Sequence, residues 1–106
     1  MATSQDFAEF VCEQARGTGE VRYRKMFGEY MVYVDDKPVL LLCDNNVYVK
    51  ILPPLDEIMA GADKGVPYAG AKEHYMVDVD NSEFLRKIIE ILLPITSVPK
   101  KRKKKV

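Results

Sequence analysis

The run Arg22-Tyr-Arg-Lys-Met-Phe-Gly-Glu-Tyr-Met-Val-Tyr-Val-Asp-Asp-Lys-Pro-Val-Leu-Leu-Leu-Cys-Asp-Asn-Asn-Val-Tyr-Val-Lys50 decides the fold. It reads as four strands: Val21 to Phe27, Tyr30 to Val34, Val39 to Cys43 and Val47 to Ile51. Gly28, Asp35-Asp36-Lys37 and Asp44-Asn45-Asn46 supply the turns between them, because Gly, Asp and Asn tolerate turn conformations. Connections this short force antiparallel neighbours, since a parallel crossover needs a dozen or more residues. The second and third strands are apolar on both faces, with Tyr30, Val32 and Val34 backed by Met31 and Tyr33, and Leu40 and Leu42 backed by Val39, Leu41 and Cys43. A sheet with one wet face alternates more cleanly. Both faces of its centre are therefore expected to be covered, one by helices and the other by the middle loop, a partner subunit or a ligand.

Helical patterns flank this stretch. Thr3 to Arg16 reads as a helix with a Thr3–Asp6 capping pair and an apolar face of Phe7, Phe10, Val11 and Gln14, widened by Ala8, Cys12 and Ala15. Gly17 and Gly19 end it. Pro53-Pro54 stops the fourth strand, Leu55, Ile58 and Met59 allow a short helix, and Val66 to Gly70 reads as a loop. His74 to Val79 predicts a fifth strand. Asp80 with Glu83 marks a second cap, followed by Leu85, Ile88, Ile89 and Leu92 at helical spacing up to Pro94. The fold class is α+β: an antiparallel sheet of about five strands with flanking helices, in the order α-β-β-β-β-α-β-α.

At 106 residues the chain is one domain, read as residues 1–98 followed by a disordered basic tail at 99–106. Its 16 basic and 16 acidic residues cancel, but Lys100, Lys101, Arg102, Lys103, Lys104 and Lys105 hold six of the positive charges. The body without them carries 10 basic against 16 acidic residues, which does not describe a basic nucleic-acid-binding surface. Nonspecific nucleic-acid contact, if made, is expected from the tail. No apolar run approaches a membrane span, and the first residues lack a signal-peptide pattern, so a cytoplasmic protein without membrane contact is expected.

Catalytic patterns are weak. Ser4, Ser82 and Ser97 stand in no nucleophile elbow. Cys12 and Cys43 read as reduced core cysteines, and a dyad with His74 would need a third, orienting group. The carboxylates Asp35, Asp36, Asp44 and Asp56 sit in turns, and Gly61, Gly65 and Gly70 lack the spacing of a phosphate loop. No cofactor or metal site is expected. Arg22, Arg24, Lys25, Lys50 and Lys72 are the residues placed to meet an anionic partner. A small-ligand role predicts a concavity on the uncovered sheet face, with polar groups converging near Lys50 and Tyr68.

Arg24-Lys25-Met26-Phe27-Gly28-Glu29-Tyr30, Tyr33, the turn at Asp35 to Pro38, Cys43-Asp44 and Tyr48-Val49-Lys50 resemble the TfoX (Sxy) N-terminal domain family. Pro67-Tyr68, Gly70-Ala71-Lys72, Leu92-Leu93-Pro94 and the lysine-rich end resemble a short, single-domain branch of it. Asp36 stands where that family's turn usually has glycine. The resemblance implies an antiparallel sheet flanked by helices, similar to the secretion-chaperone-like fold and often self-associating. It implies a non-enzymatic regulatory or protein-interaction role linked to transcription, with a protein partner and a homodimer. Met26, Phe27, Gly28 and Tyr30 would then mainly serve the fold.

Overall fold

A computed structural model describes residues 3–26 and 29–96. Phe27, Gly28 and the tail from Lys100 to Lys105 lie outside the described residues. The chain runs α1 (Gln5–Gln14), β1 (Val21–Met26), β2 (Glu29–Val34), β3 (Lys37–Cys43), β4 (Asn46–Lys50), β5 (Lys64–Gly65), β6 (His74–Val77) and α2 (Ser82–Leu92). Single 3-10 turns follow at Pro53–Leu55 and Leu93–Ile95. The strands form one antiparallel sheet in the order β1-β2-β3-β4-β6-β5. The expected α+β sheet is thus present, with a sixth, two-residue strand added at one edge.

The hairpins follow from turn chemistry. Asp35 and Asp36 have φ of 53° and 67°, and Asp44 and Asn45 have 54° and 57°. Two consecutive left-handed residues make the two-residue turn whose twist matches paired strands, and Asp and Asn accept that conformation. Across the sheet, Arg24, Met31, Leu41, Tyr48 and Met76 form one row of directly opposed residues. The next row, on the other face, is Lys25, Tyr30, Leu42, Val47 and Val77.

Both helices pack on that second face. Tyr30, Val32, Val34, Leu40, Leu42, Val47 and Val49 form one buried cluster with Ala8, Val11 and Ala15 of α1 and Leu85, Ile88, Ile89 and Leu92 of α2. The stripe on α1 is therefore centred on its small residues. Phe10, expected on the buried face, is 42% exposed at the rim, and Gln14 donates to the Val79 carbonyl at 2.8 Å. Both caps sit one residue later than expected: Ser4 Oγ accepts from Phe7 N and Asn81 Oδ1 from Phe84 N, each at 3.1 Å. Either neighbour offers an acceptor, and the extended backbone at Ser4 suits the cap position. The expected helix after Pro54 is a 3-10 turn continued by hydrogen-bonded turns, and the fifth expected strand stops at Val77.

The opposite face carries neither α1 nor α2. Tyr48 and Cys43 are buried there, whereas Met31, Tyr33, Leu41 and Met76 are half-buried. The helices supply the expected cover of one face; the other is apolar, and within the chain itself it is only partly covered.

Candidate functional site

The sheet splits at its centre. β3 and β4 pair only from Leu41–Tyr48 to Cys43–Asn46. Beyond that point β3 stays with β2, while Val49 and Lys50 pair with Tyr75 and His74 of β6. Two features of β3 account for the split. Its register on β2 shifts at Val32–Tyr33, which leaves Val39 as an extra residue and bends the strand. Pro38 also has no N–H to give a ladder, and proline is confined to bulges and edges for that reason.

A cavity of about 470 Å³ opens in the split. Val39, Leu40 and Leu41 form one wall and Tyr48, Val49 and Lys50 the other. Leu52, Leu92 and Ile95 line it toward the end of α2. Lys50, His74 and Tyr68 line it as well. Lys50 and Tyr68 thus meet at a concavity, as the small-ligand expectation required. Lys37 Nζ donates to the Leu93 carbonyl at 2.7 Å, placing a cation where the helix dipole ends.

Polar chemistry at this site comes from neighbouring strands. Lys50 and His74 are directly opposed across β4 and β6, which puts their Cβ atoms roughly 5 Å apart. Lys50 is exposed and forms no ion pair among the described residues. His74 Nδ1 lies 2.8 Å from the Lys72 carbonyl oxygen. A carbonyl only accepts, so Nδ1 carries the proton and Nε2 is left for another partner. The His74 ring meets Tyr48 edge-on, with centroids 6.4 Å apart. Burial pushes the Tyr48 hydroxyl pKa up, with the Cys43 and Asp44 side chains adding to the shift. Tyr48 therefore stays neutral at physiological pH.

The other basic residues singled out in the sequence do not gather here. Arg22 and Arg24 lie on the open face of β1 and Lys25 on its helix side. β1 is three strands from β4, about 14 Å at the usual strand spacing. Arg22 is already engaged: its guanidinium reaches Asp36 at 3.2 Å and lies 4.4 Å from the centre of the Tyr33 ring. Lys72 is exposed, and its backbone carbonyl holds His74. Within the motif, Tyr30 is a core residue and Met26 a half-buried strand end. His74 and Tyr48 were not singled out as site residues in the sequence. Tyr48 stands two residues before Lys50 on β4, and the pairing of β4 with β6, separated by 23 residues, brings His74 to both.

The cysteines do not build a dyad. Cys43 is opposite Asn46 and His74 opposite Lys50, four residues apart along β4, or roughly 13 Å. Cys12 belongs to α1, and both thiols are free. Among the described residues, no three His, Cys, Asp or Glu side chains converge as a metal would need. No helix among them is long and apolar enough to cross a membrane.

Burial pushes both thiols from about 9 to about 11, with Glu9 adding to the shift at Cys12 and Glu29 and Asp44 at Cys43. Unfolded thiols lose their protons near pH 9 while the folded ones keep them, so unfolding releases protons in this interval and rising pH favours the unfolded chain. In reducing buffer the urea midpoint is expected to hold from pH 7 to 8.5 and to fall between pH 9 and 10. Cys12→Ala combined with Cys43→Ala is expected to flatten that fall. A midpoint unchanged to pH 10 would contradict it.

No family model matches the chain. A Spirochaeta aurantia protein named "Uncharacterized 12.7 kDa protein in trpE 5'region" is 36% identical to it over 107 residues, covering 99% of this chain and 93% of that protein.

Proposed function

This chain belongs to the family of the Spirochaeta aurantia 12.7 kDa protein, and we propose that it is a non-enzymatic, TfoX-type regulatory domain that works by binding a protein partner. The observation that carries this reading is the free edge of β1. Strand β5 at the other edge has two residues, whereas β1 has six and, among the described residues, pairs on one side only. About three of its residues turn both N–H and C=O outward, a ready template for an added strand.

Charge selects the strand. Val21–Met26 holds Arg22, Arg24 and Lys25 and no acid. A second copy is a poor occupant. In an antiparallel pairing that keeps both helix layers on one side, every register overlapping three or more residues of β1 sets two basic side chains opposite each other. Arg22 then meets Arg22 or Arg24, Arg24 meets itself, or Lys25 meets itself. Like charges directly opposed are destabilising. An extended acidic segment of another protein meets the same groups with opposite charge. Strand addition of this kind takes its affinity from main-chain hydrogen bonds and its specificity from alternate side chains. Self-association, which the TfoX resemblance implies, is accordingly assigned to a surface other than β1.

The test uses a ten-residue β-prone peptide with Glu at alternate positions, titrated into isotope-labelled protein. Amide shifts are expected to concentrate in Val21–Met26, and Arg24→Glu with Lys25→Glu is expected to weaken binding at least fivefold, about 1 kcal/mol. Equal binding of the same peptide with Lys in place of Glu would sink the proposal.

A second reading rests on the tail. Lys100 to Lys105 places six consecutive cations beside an acidic body. Nonspecific contact with nucleic-acid phosphates would run through these residues and not through the sheet. In this reading the protein is a nucleic-acid-binding accessory protein that uses its basic tail.

A further inference from the structure

We propose that the cavity in the split between β3 and β4 is a binding site for a small carboxylate with an apolar body. The proposal is independent of strand addition at β1, which uses the opposite side of the sheet's β1-β2-β3 half. Its volume of about 470 Å³ falls within the ~300–1,000 Å³ of small-molecule sites. Its walls are apolar at Val39, Leu41, Leu52 and Leu92, which suits a hydrocarbon or aromatic body. Lys50, His74 and Tyr68 line one side, Thr96 adds a hydroxyl beyond Ile95, and the charge among them is the Lys50 ammonium. Lys50 supplies an ammonium that no carboxylate of the described residues neutralises. His74, fixed by its Nδ1–H bond to the Lys72 carbonyl, presents Nε2 beside it, an acceptor in the neutral ring and a donor to a carboxylate as the imidazolium. Tyr68, 57% exposed, adds a hydroxyl on a loop that borders the cavity.

The arrangement discriminates by charge. No Asp or Glu among the described residues lines the cavity, so an amine finds no anionic partner there and meets the Lys50 charge. A neutral amide can use the apolar walls but forgoes the charge-assisted contact, which is about twice as strong as a neutral one. A dicarboxylate would have to place its second charge among Leu52, Leu92 and Val39, where burial of an unpaired charge is strongly unfavourable. The class that fits is a monocarboxylate with its apolar end directed toward α2.

The experiment is a titration of the full chain with 4-phenylbutyrate, octanoate, 4-phenylbutanamide and octylamine, followed by amide shifts and by calorimetry. Ligands of about a dozen heavy atoms reach dissociation constants on the order of 0.1–1 mM. The two carboxylates are expected in that range, with shifts at Leu41, Tyr48, Lys50 and His74. The amide is expected to bind at least fivefold more weakly and the amine more weakly still. Lys50→Met, at an exposed position, is expected to cost the carboxylates at least fivefold and leave the amide unchanged. Leu41→Trp, which fills the cavity from the open face, is expected to abolish binding of all four while leaving acidic-peptide binding at β1 intact. No carboxylate binding at 5 mM, equal binding of acid and amide, or indifference to Lys50→Met would each overturn the proposal. None of these results would bear on β1.

Discussion

Leu40→Ala is expected to lower the unfolding free energy by about 3 kcal/mol, and Leu41→Ala, one residue further, by about 1 kcal/mol. Leu40 is 1% exposed and lies on the helix side of β3, in the cluster that α1 and α2 close over. Truncating it removes buried methyl groups and leaves a void whose walls are held by Val32 across the strand pair and by the helices. Both leucines border the cavity, but Leu41 points to the open face and is already half-exposed, so its loss removes less buried surface and creates little new void. For a domain of this size, 3 kcal/mol corresponds to a fall in Tm of roughly 12–24 °C. Thermal and urea unfolding of both variants decide the matter. Comparable losses at the two positions would mean that the open face is packed against something in solution. The one-sided core would then be wrong.

The contrast between these neighbours shows where the sequence was readable. The first four strands were legible because the turns Asp35-Asp36 and Asp44-Asn45 that separate the last three of them are short, polar and tolerant of left-handed backbone. The α2 stripe was equally plain, since Leu85, Ile88, Ile89 and Leu92 recur at helical spacing and all four are buried. The face to which β3 commits its leucines was less plain. Leu40, Leu41 and Leu42 are chemically identical, and only the helix layer over Leu40 and Leu42 distinguishes them from Leu41 on the open face. Strand β5 was invisible, because a two-residue strand has no period to detect. Of the candidate site, Lys50 and Tyr68 were foreseen as meeting at a concavity on the open face. His74 was weighed only as a partner for a cysteine. Its place opposite Lys50 depends on β6 returning to pair with β4 across the whole middle loop, and local patterning carries no record of that pairing.

Thr3→Val is expected to cost about 2 kcal/mol, a large effect for a residue outside every helix and strand. Thr3 is the one buried polar side chain among the described residues, at 4% exposed. Its Oγ1 lies 2.6 Å from Glu29 Oε1 and 3.3 Å from the Leu42 carbonyl. The hydroxyl has one proton, and the shorter, charge-assisted contact takes it. The same oxygen accepts from Asn45 N at 3.3 Å, and Glu29 Oε1 also accepts from Asp44 N and Thr3 N, each at 3.3 Å. Next along the chain, Ser4 N donates to Asn45 Oδ1 at 3.1 Å while Ser4 Oγ caps α1. One hydroxyl therefore ties the start of α1 to the β3–β4 turn and to the first residue of β2. Valine keeps the shape and removes both roles. It leaves a carboxylate oxygen short of a donor and the Asn45 N–H short of an acceptor, and hydrogen bonds to charged groups are worth about 1.5–3 kcal/mol. Thr3→Ser keeps the hydroxyl and is expected to cost under ~1 kcal/mol. The decisive measurement is a double-mutant cycle of Thr3→Val with Glu29→Gln, read by urea unfolding. Coupling of about 1 kcal/mol or more is expected for groups that share a proton at 2.6 Å. Additive losses would mean that the hydroxyl and the carboxylate act separately, and that the chain entering α1 is held by Ser4 alone.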